Sequence, residues 1–285
     1  SDHKMEPIRS RSLILPVGIV RNFEFVLTCI CFSLVASEGH RNSSYWAWCM
    51  FTWCFCCFMT LFILILEFTR LNNKVPISWD DFTTAFAVLA TLLLLSTSII
   101  YPTIYACPTC IRQICASVVS WICLGLYAIE VWLALRRPGE ISGFLSTVSG
   151  LLKILETFVA CIIFTSLDPT KYNLRGLQWC VAVYSLCFIF ALLIILLTIG
   201  RLVSAFPFPF DKLVTIYNIV AAVMYMTAVV IWPLYAFETY SRPINCDSSC
   251  WDKLVVVTFM TAVNVLVYIF DAAYSIKLVF FIRQE

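Results

Sequence analysis

The chain has 285 residues, of which 61% are hydrophobic and 13% charged, against roughly half and a quarter in an average soluble domain. That balance excludes a water-soluble fold. A net charge of +2 leaves none of the basic footprint that nucleic-acid binders carry, so nucleic acid is not expected as a partner.

In chain order, residues 1–12 form a polar tail with Lys4, Arg9 and Arg11 and without the apolar core and small-residue site of a cleavable signal peptide. The first apolar helix is therefore expected to serve as its own uncleaved signal. Apolar runs between polar breaks predict helices over 16–37, 46–67, 82–105, 112–135, 148–167, 178–199, 211–236 and 253–276. Each is close to the roughly 20 residues that cross about 30 Å of hydrocarbon. The fold class expected is an all-α membrane protein with eight transmembrane helices.

Eight spans put both chain ends on one face. That face collects Lys4, Arg9, Arg11, Arg70, Lys74, Arg136, Arg137, Arg201, Lys212, Lys277 and Arg283, whereas the other has only Arg41, Arg112, Lys171, Arg175, Arg242 and Lys253. The positive-inside bias places both termini in the cytoplasm.

The helices repeat. Gly18, Arg21, Glu24, Cys29, Ile30 and Phe32 match Gly150, Lys153, Glu156, Cys161, Ile162 and Phe164 at an offset of 132. Trp48, Cys49, Cys56, Arg70, Leu71, Pro76, Asp80 and Pro102 match Trp179, Cys180, Cys187, Arg201, Leu202, Pro207, Asp211 and Pro233 at 131. Arg112, Tyr127 and Glu130 match Lys253, Tyr268 and Asp271 at 141, the longer loop 237–252 absorbing the difference. Such duplication is common in membrane folds. The organisation expected is a tail (1–12) and two four-helix units, 13–137 and 146–281, facing the same way.

Ionisable groups inside spans cost several kcal/mol each and call for a role. Arg21 with Glu24, and Lys153 with Glu156, are three residues apart and share a helix face; Glu130 and Asp271 lie toward the same membrane face on the fourth and eighth helices. One reading is a proton or ion path through the carboxylates. The preferred one is a structural ion-pair cluster in each unit, Arg21 with Glu24 or Glu130 and Lys153 with Glu156 or Asp271, with the long cations snorkelling to the interface. The outer halves of the helices read as nearly pure apolar and aromatic, so the charge layer stops halfway. Pro102 and Pro233 near outer helix ends read as terminal kinks satisfied by neighbouring helices.

Cys107-Pro-Thr-Cys110 and Cys246-Asp-Ser-Ser-Cys250 fall in equivalent loops on the outer, oxidising face, and a disulfide is expected within each. A metal site is the rival for Cys-x-x-Cys spacing, but the two histidines, His3 and His40, supply too few further ligands for a four-ligand zinc site. The other cysteines lie in apolar runs as small hydrophobes. Asn42-Ser43-Ser44 is a glycosylation sequon, though only a few residues from membrane on both sides. The stretch from Arg21 to Val26 fits the loose pattern proposed for cholesterol contact, which occurs in many membrane proteins by chance. No phosphate loop, His-Glu-x-x-His, nucleophile elbow or serine–histidine–acid set is present. No enzyme activity, metal or cofactor is expected.

Phe32-Ser-Leu-Val-Ala-Ser37, Met50-Phe-Thr-Trp-Cys-Phe-Cys56, Ser98-Ile-Ile-Tyr-Pro-Thr103, Arg137-Pro-Gly-Glu-Ile-Ser-Gly143, the run Gly150 to Phe164 and Trp179-Cys-Val-Ala-Val-Tyr184 resemble the myeloid-associated differentiation marker family, which is built of two tandem MARVEL units of four helices. The resemblance runs from about Leu15 to Phe280. It implies a non-enzymatic plasma-membrane protein of ordered, cholesterol-rich membrane, associated with cell contacts, cell spreading and the cortical cytoskeleton. The partners it implies are membrane lipid and other membrane or cortical proteins; an oligomer is compatible with the sequence. Two alternatives stand beside it: a small transporter or channel using the intramembrane carboxylates, and an adhesion or receptor component acting through its outer loops.

Overall fold

A chain segment in lipid must satisfy every backbone polar group internally, and an uninterrupted apolar run does so by becoming a helix. In a computed structural model describing residues 16–39, 41–136, 148–168, 172–205, 207, 209–239 and 248–279, eight helices are long and apolar enough to cross a membrane. They are α1 Pro16–Ala36, α2 Ser44–Phe68, α3 Trp79–Tyr105, α4 Ile111–Leu135, α5 Val148–Ser166, α6 Arg175–Ile199, α7 Phe210–Thr239 and α8 Ser248–Lys277. Short 3-10 turns, Leu71–Asn73 and Leu202–Ala205, follow α2 and α6.

Several helices outrun their apolar runs. α3 starts at Trp79 with Asp80 and Asp81 in its first turn, where negative charge suits the helix dipole. α8 starts at Ser248, and α7 continues past Pro233 to Thr239. Hydropathy marks only the part of a helix that lies in hydrocarbon, so polar end turns escape it. Pro102 and Pro233 each remove one backbone donor near a helix end but do not break the helix.

The chain divides into two compact units between Ser142 and Gly143. Within the first, α1 packs against α2 and α4, and α3 packs against the same two, closing a four-helix ring. The second unit closes in the same way with α5 to α8. Each has a charged end, where Arg21 or Lys153 sits, and an opposite end that carries the α3–α4 or α7–α8 loop.

The duplication extends to individual contacts. Trp48 Nε1 donates to Ser96 Oγ at 3.1 Å, and its counterpart Trp179 donates to Thr227 Oγ1 at 3.0 Å. Trp53 meets Tyr101 edge-on in the first unit; the second keeps the pair with the residues exchanged, Tyr184 against Trp232. Among the described residues, the non-glycine positions with positive φ are Arg70 (56°) and Arg201 (53°), a matched pair ending the second helix of each unit. A left-handed residue there turns the chain out of the helix.

The radial pattern departs from that of a soluble bundle. Large apolar side chains such as Phe23, Phe58, Phe259 and Phe270 point outward, and the interiors hold hydroxyls, amides and charges among their apolar residues. Lipid solvates the former, and the latter must find one another. Replacing Trp48 or Trp179 by Phe removes one interhelical hydrogen bond, and each change is expected to cost about 0.6 kcal/mol in denaturant titrations of the protein in bicelles. A cost confined to one unit would argue that the two contacts are not equivalent.

Candidate functional site

In the first unit, Arg21 on α1 faces the ends of α2 and α4. Its Nε donates to Glu130 Oε1 at 2.6 Å, and its Nη1 pairs with Glu67 Oε1. Trp79 Nε1 donates to the same Glu67 oxygen at 3.1 Å, tying in the start of α3. One guanidinium and one indole thus bring four helices together at the charged end. Of the two partners considered for Arg21, Glu130 is the one bonded. Glu24 is fully buried with its carboxyl group against that of Glu130 and Arg21 beside it. Neither of its oxygens receives an N–H or hydroxyl donor, and the contact with Glu130 is a hydrogen bond only when one of the two carboxyls carries a proton.

In the second unit, Lys153 Nζ donates to Glu156 Oε2 and to Asp271 Oδ2, both at 2.6 Å. Ser149 Oγ donates to the other Asp271 oxygen at 2.5 Å, and the rings of Tyr217 and Tyr268 each lie 5.1 Å from the ammonium. Aromatic faces attract a desolvated cation. The expectation that the long cations snorkel fails for Lys153, whose side chain is 0% exposed. Two carboxylates and two rings hold its charge inside, so nothing is gained by reaching for the interface.

The two clusters share a cation on the first helix bonded to an acid on the fourth, and differ in the rest. Glu67 has Thr198 at its repeat-matched position, and Thr198 Oγ1 bonds back to Ile194 O at 2.8 Å. Sequence reasoning missed Glu67 because it closes an apolar helix and passes for an interface residue. Its level in the membrane, the same as that of Arg21, was the available signal.

The expectation of nearly pure apolar and aromatic outer halves is also corrected. On α4, the buried residues Gln113, Ser117, Ser120, Cys123, Tyr127 and Glu130 recur every three or four positions and form one continuous inward stripe. Tyr127 shares a hydrogen bond with Thr60 at 2.6 Å, Ser120 with Ser98 at 2.8 Å, and Gln113 Nε2 reaches Glu38 Oε2 at 3.0 Å. Polar side chains therefore run the length of the first unit. Hydropathy averages over a helix and hides a single-residue-wide stripe. In the second unit, the buried positions described at the start of α8 are Leu254 and Val257, and the first fully buried hydroxyl among its described residues is that of Thr261, bonded to Tyr184 at 2.8 Å.

Cys107 and Cys110 form a disulfide with Cα atoms 5.1 Å apart. Cys250 is disulfide-bonded as well; its expected partner, Cys246, lies outside the described residues. Asn42 is exposed two residues before α2 begins. Among the described residues no group of histidine, cysteine or acidic side chains is placed to hold a metal ion.

Two stretches of the chain, residues 12–133 and 144–274, each match the MARVEL membrane-associating domain, one match per four-helix unit. The chain is 44% identical over 290 residues to the human myeloid-associated differentiation marker, covering 95% of this chain and 90% of that one. The chain belongs to the myeloid-associated differentiation marker family of tandem MARVEL proteins. A Xenopus laevis homolog of the same marker is 43% identical, covering 93% of both chains, and human myeloid-associated differentiation marker-like protein 2 is 40% identical, covering 93% of this chain and 92% of its own. No solved structure matches the chain. Membership accounts for both the eight spans and the doubling.

Breaking a buried pair from one side leaves a charge without its counter-ion, which typically costs about 3–5 kcal/mol. Lys153→Met is expected to lose about that much in bicelle unfolding, and adding Asp271→Asn and Glu156→Gln to the same chain should recover more than half of it. In the first unit, Glu130→Gln should cost more than Glu67→Gln, because the Glu130 side chain is 3% exposed and that of Glu67 is 14%. The reverse order would place the dominant partner of Arg21 on α2.

Proposed function

We propose that this protein is a non-enzymatic organiser of ordered, cholesterol-rich plasma membrane, linking it to cell contacts, cell spreading and the cortical cytoskeleton through other membrane or cortical proteins. The observation that carries this reading is where the chemistry goes. Arg21 and Lys153 are spent on buried carboxylates and many interior hydroxyls on one another or on their own helix backbone inside the bundles, while large apolar side chains face outward. What each unit offers its surroundings is mainly a surface for lipid and for other membrane helices. The names of its relatives describe a differentiation marker and state no reaction.

In this reading the ion-pair clusters of Arg21, Glu24 and Glu130 and of Lys153, Glu156 and Asp271 are structural. Both termini are cytoplasmic, and the Cys107–Cys110 loop, the paired Cys250 and the sequon at Asn42 lie outside. The positive-inside count and the oxidised cysteines support that orientation.

A transport reading has one specific observation in its favour. Glu24 is buried against the carboxyl of Glu130 with no N–H or hydroxyl donor on either of its oxygens, at the foot of the polar stripe on α4 that runs through the first unit to Gln113 and Glu38. Intramembrane carboxylates of that kind are used as relay groups in pumps and transporters. The bonded hydroxyls along the stripe favour packing over passage.

Reconstitution separates the two. In giant vesicles with coexisting ordered and disordered phases, the protein is expected to enrich in the ordered phase, and small proteoliposomes should show no proton or alkali-ion flux above lipid alone. Flux that disappears in Glu24→Gln would replace the organiser by a transporter.

A further inference from the structure

The second unit contains a groove between α6 and α7 of about 460 Å³, lined by side chains including Leu186, Phe190, Leu193, Leu213, Tyr217 and Met224. It has almost no polar surface, because the Tyr217 hydroxyl is turned away into bonds with Cys187 O (2.7 Å) and Tyr268 Oη (2.9 Å). Leu186, Phe190, Leu193 and Leu213 are exposed along it. From Phe210 to Met224 the lining spans about 21 Å of helix at about 1.5 Å per residue. One leaflet contributes about 15 Å of hydrocarbon, so the groove starts at the charged end and follows a lipid tail inward. A 150 Å³ apolar cavity holds one benzene, and on that scale the groove accommodates on the order of 18 carbons.

Two features show that the fold does not demand this space. Where the groove has Leu186, Leu193 and Leu213, the repeat-matched positions of the first unit hold Phe55, Phe62 and Phe82. The Phe55 ring meets that of Phe86, the counterpart of Tyr217, at 6.0 Å; in the other direction, Phe190 stands where the first unit has Met59. Second, Lys212 lies exposed at the groove mouth, one turn before Ile216 on the same helix flank, whereas the matched residue in the first unit is the buried acid Asp81. Arg201, two residues past the end of α6 and four beyond the lining residue Leu197, and Asp211, next to the lining residue Phe210, lie at the same end and engage in interactions of their own. Lys212 leaves the mouth with a net positive charge above an apolar slot.

We propose that this groove binds one acyl chain of an anionic phospholipid, whose headgroup phosphate and negative charge sit at Lys212. The apolar slot fixes the chain class, and the lysine fixes the sign of the headgroup. A sterol offers one neutral hydroxyl, which can accept a hydrogen bond from the lysine but has no negative charge to pair with it. The site goes beyond the organiser role and needs only that α6 and α7 cross the bilayer.

Photo-crosslinking of the purified full chain tests it. The protein is reconstituted in vesicles with the anionic lipid in both leaflets, which makes the result independent of orientation and of the proposed role. The vesicles contain phosphatidylserine, phosphatidylcholine or cholesterol carrying a diazirine on the tail, and labelled peptides are mapped by mass spectrometry. The expected result is labelling concentrated on residues 186–197 and 210–224, about fivefold higher for phosphatidylserine than for phosphatidylcholine, as one basic residue near the surface provides. Lys212→Gln, an exposed change that leaves the fold intact, should remove the headgroup preference and keep the position of the label. Leu193→Phe with Leu213→Phe, which copies the first unit, should abolish the focus on the groove. Label spread evenly over all outward faces, equal labelling by both phospholipids, or preferential labelling by cholesterol would each overturn the proposal.

Discussion

Each unit depends on one constraint: a cation on its first helix has no water to fall back on and must be neutralised from the fourth. Arg21 finds Glu130 and Lys153 finds Asp271, in both cases joining the two helices that are furthest apart in sequence within the unit. The neighbouring pairs of helices are brought together by short connections, whereas the first and fourth need a side-chain bond to close the ring. Against a well-packed apolar pair such a bridge adds little net stability. Its value is specificity, since any packing that separates the two helices leaves charge alone in hydrocarbon.

The remaining polar contacts follow from that closure. With the ring shut, hydroxyls on facing helices come within reach, and the matched Trp48–Ser96 and Trp179–Thr227 bonds join the second and third helices at the same place in both units. Each such bond is weak by itself. Together they replace the hydrophobic force that bilayer lipid, being as apolar as leucine, does not supply between helices. Duplication also freed each copy to diverge around the shared bridge. The first added Glu67 and a polar stripe along α4; the second wrapped its lysine in two tyrosines and left an open slot between α6 and α7.

Much of this was legible in the sequence. The eight apolar runs, the three repeat offsets and the level of Arg21, Lys153, Glu130 and Asp271 are properties of composition and spacing, which lipid enforces strictly. The family is shown by two domain matches and by relatives over 40% identical. The helix ends were misjudged where polar turns such as the one holding Asp80 and Asp81 remain helical outside the hydrocarbon. Within the clusters, choosing Glu130 over Glu24 for Arg21 required knowing which faces of three helices meet, and no spacing within α1 contains that. The polar stripe on α4 was present as a 3–4 rhythm from Gln113 to Glu130, but window averaging submerged it among the outward valines, isoleucines and tryptophans.

The closing bridge can be observed directly in a bilayer. Magic-angle-spinning NMR on protein carrying a ¹⁵N-labelled lysine side chain and ¹³C-labelled aspartate carboxyls measures the distance between Lys153 Nζ and the Asp271 carboxyl carbon. A dephasing curve that corresponds to direct contact, consistent with the 2.6 Å nitrogen–oxygen separation, and that vanishes in Asp271→Asn, is the result predicted. A Lys153 nitrogen with no carboxyl carbon in contact would contradict the account, because α5 and α8 would then be held together by something else.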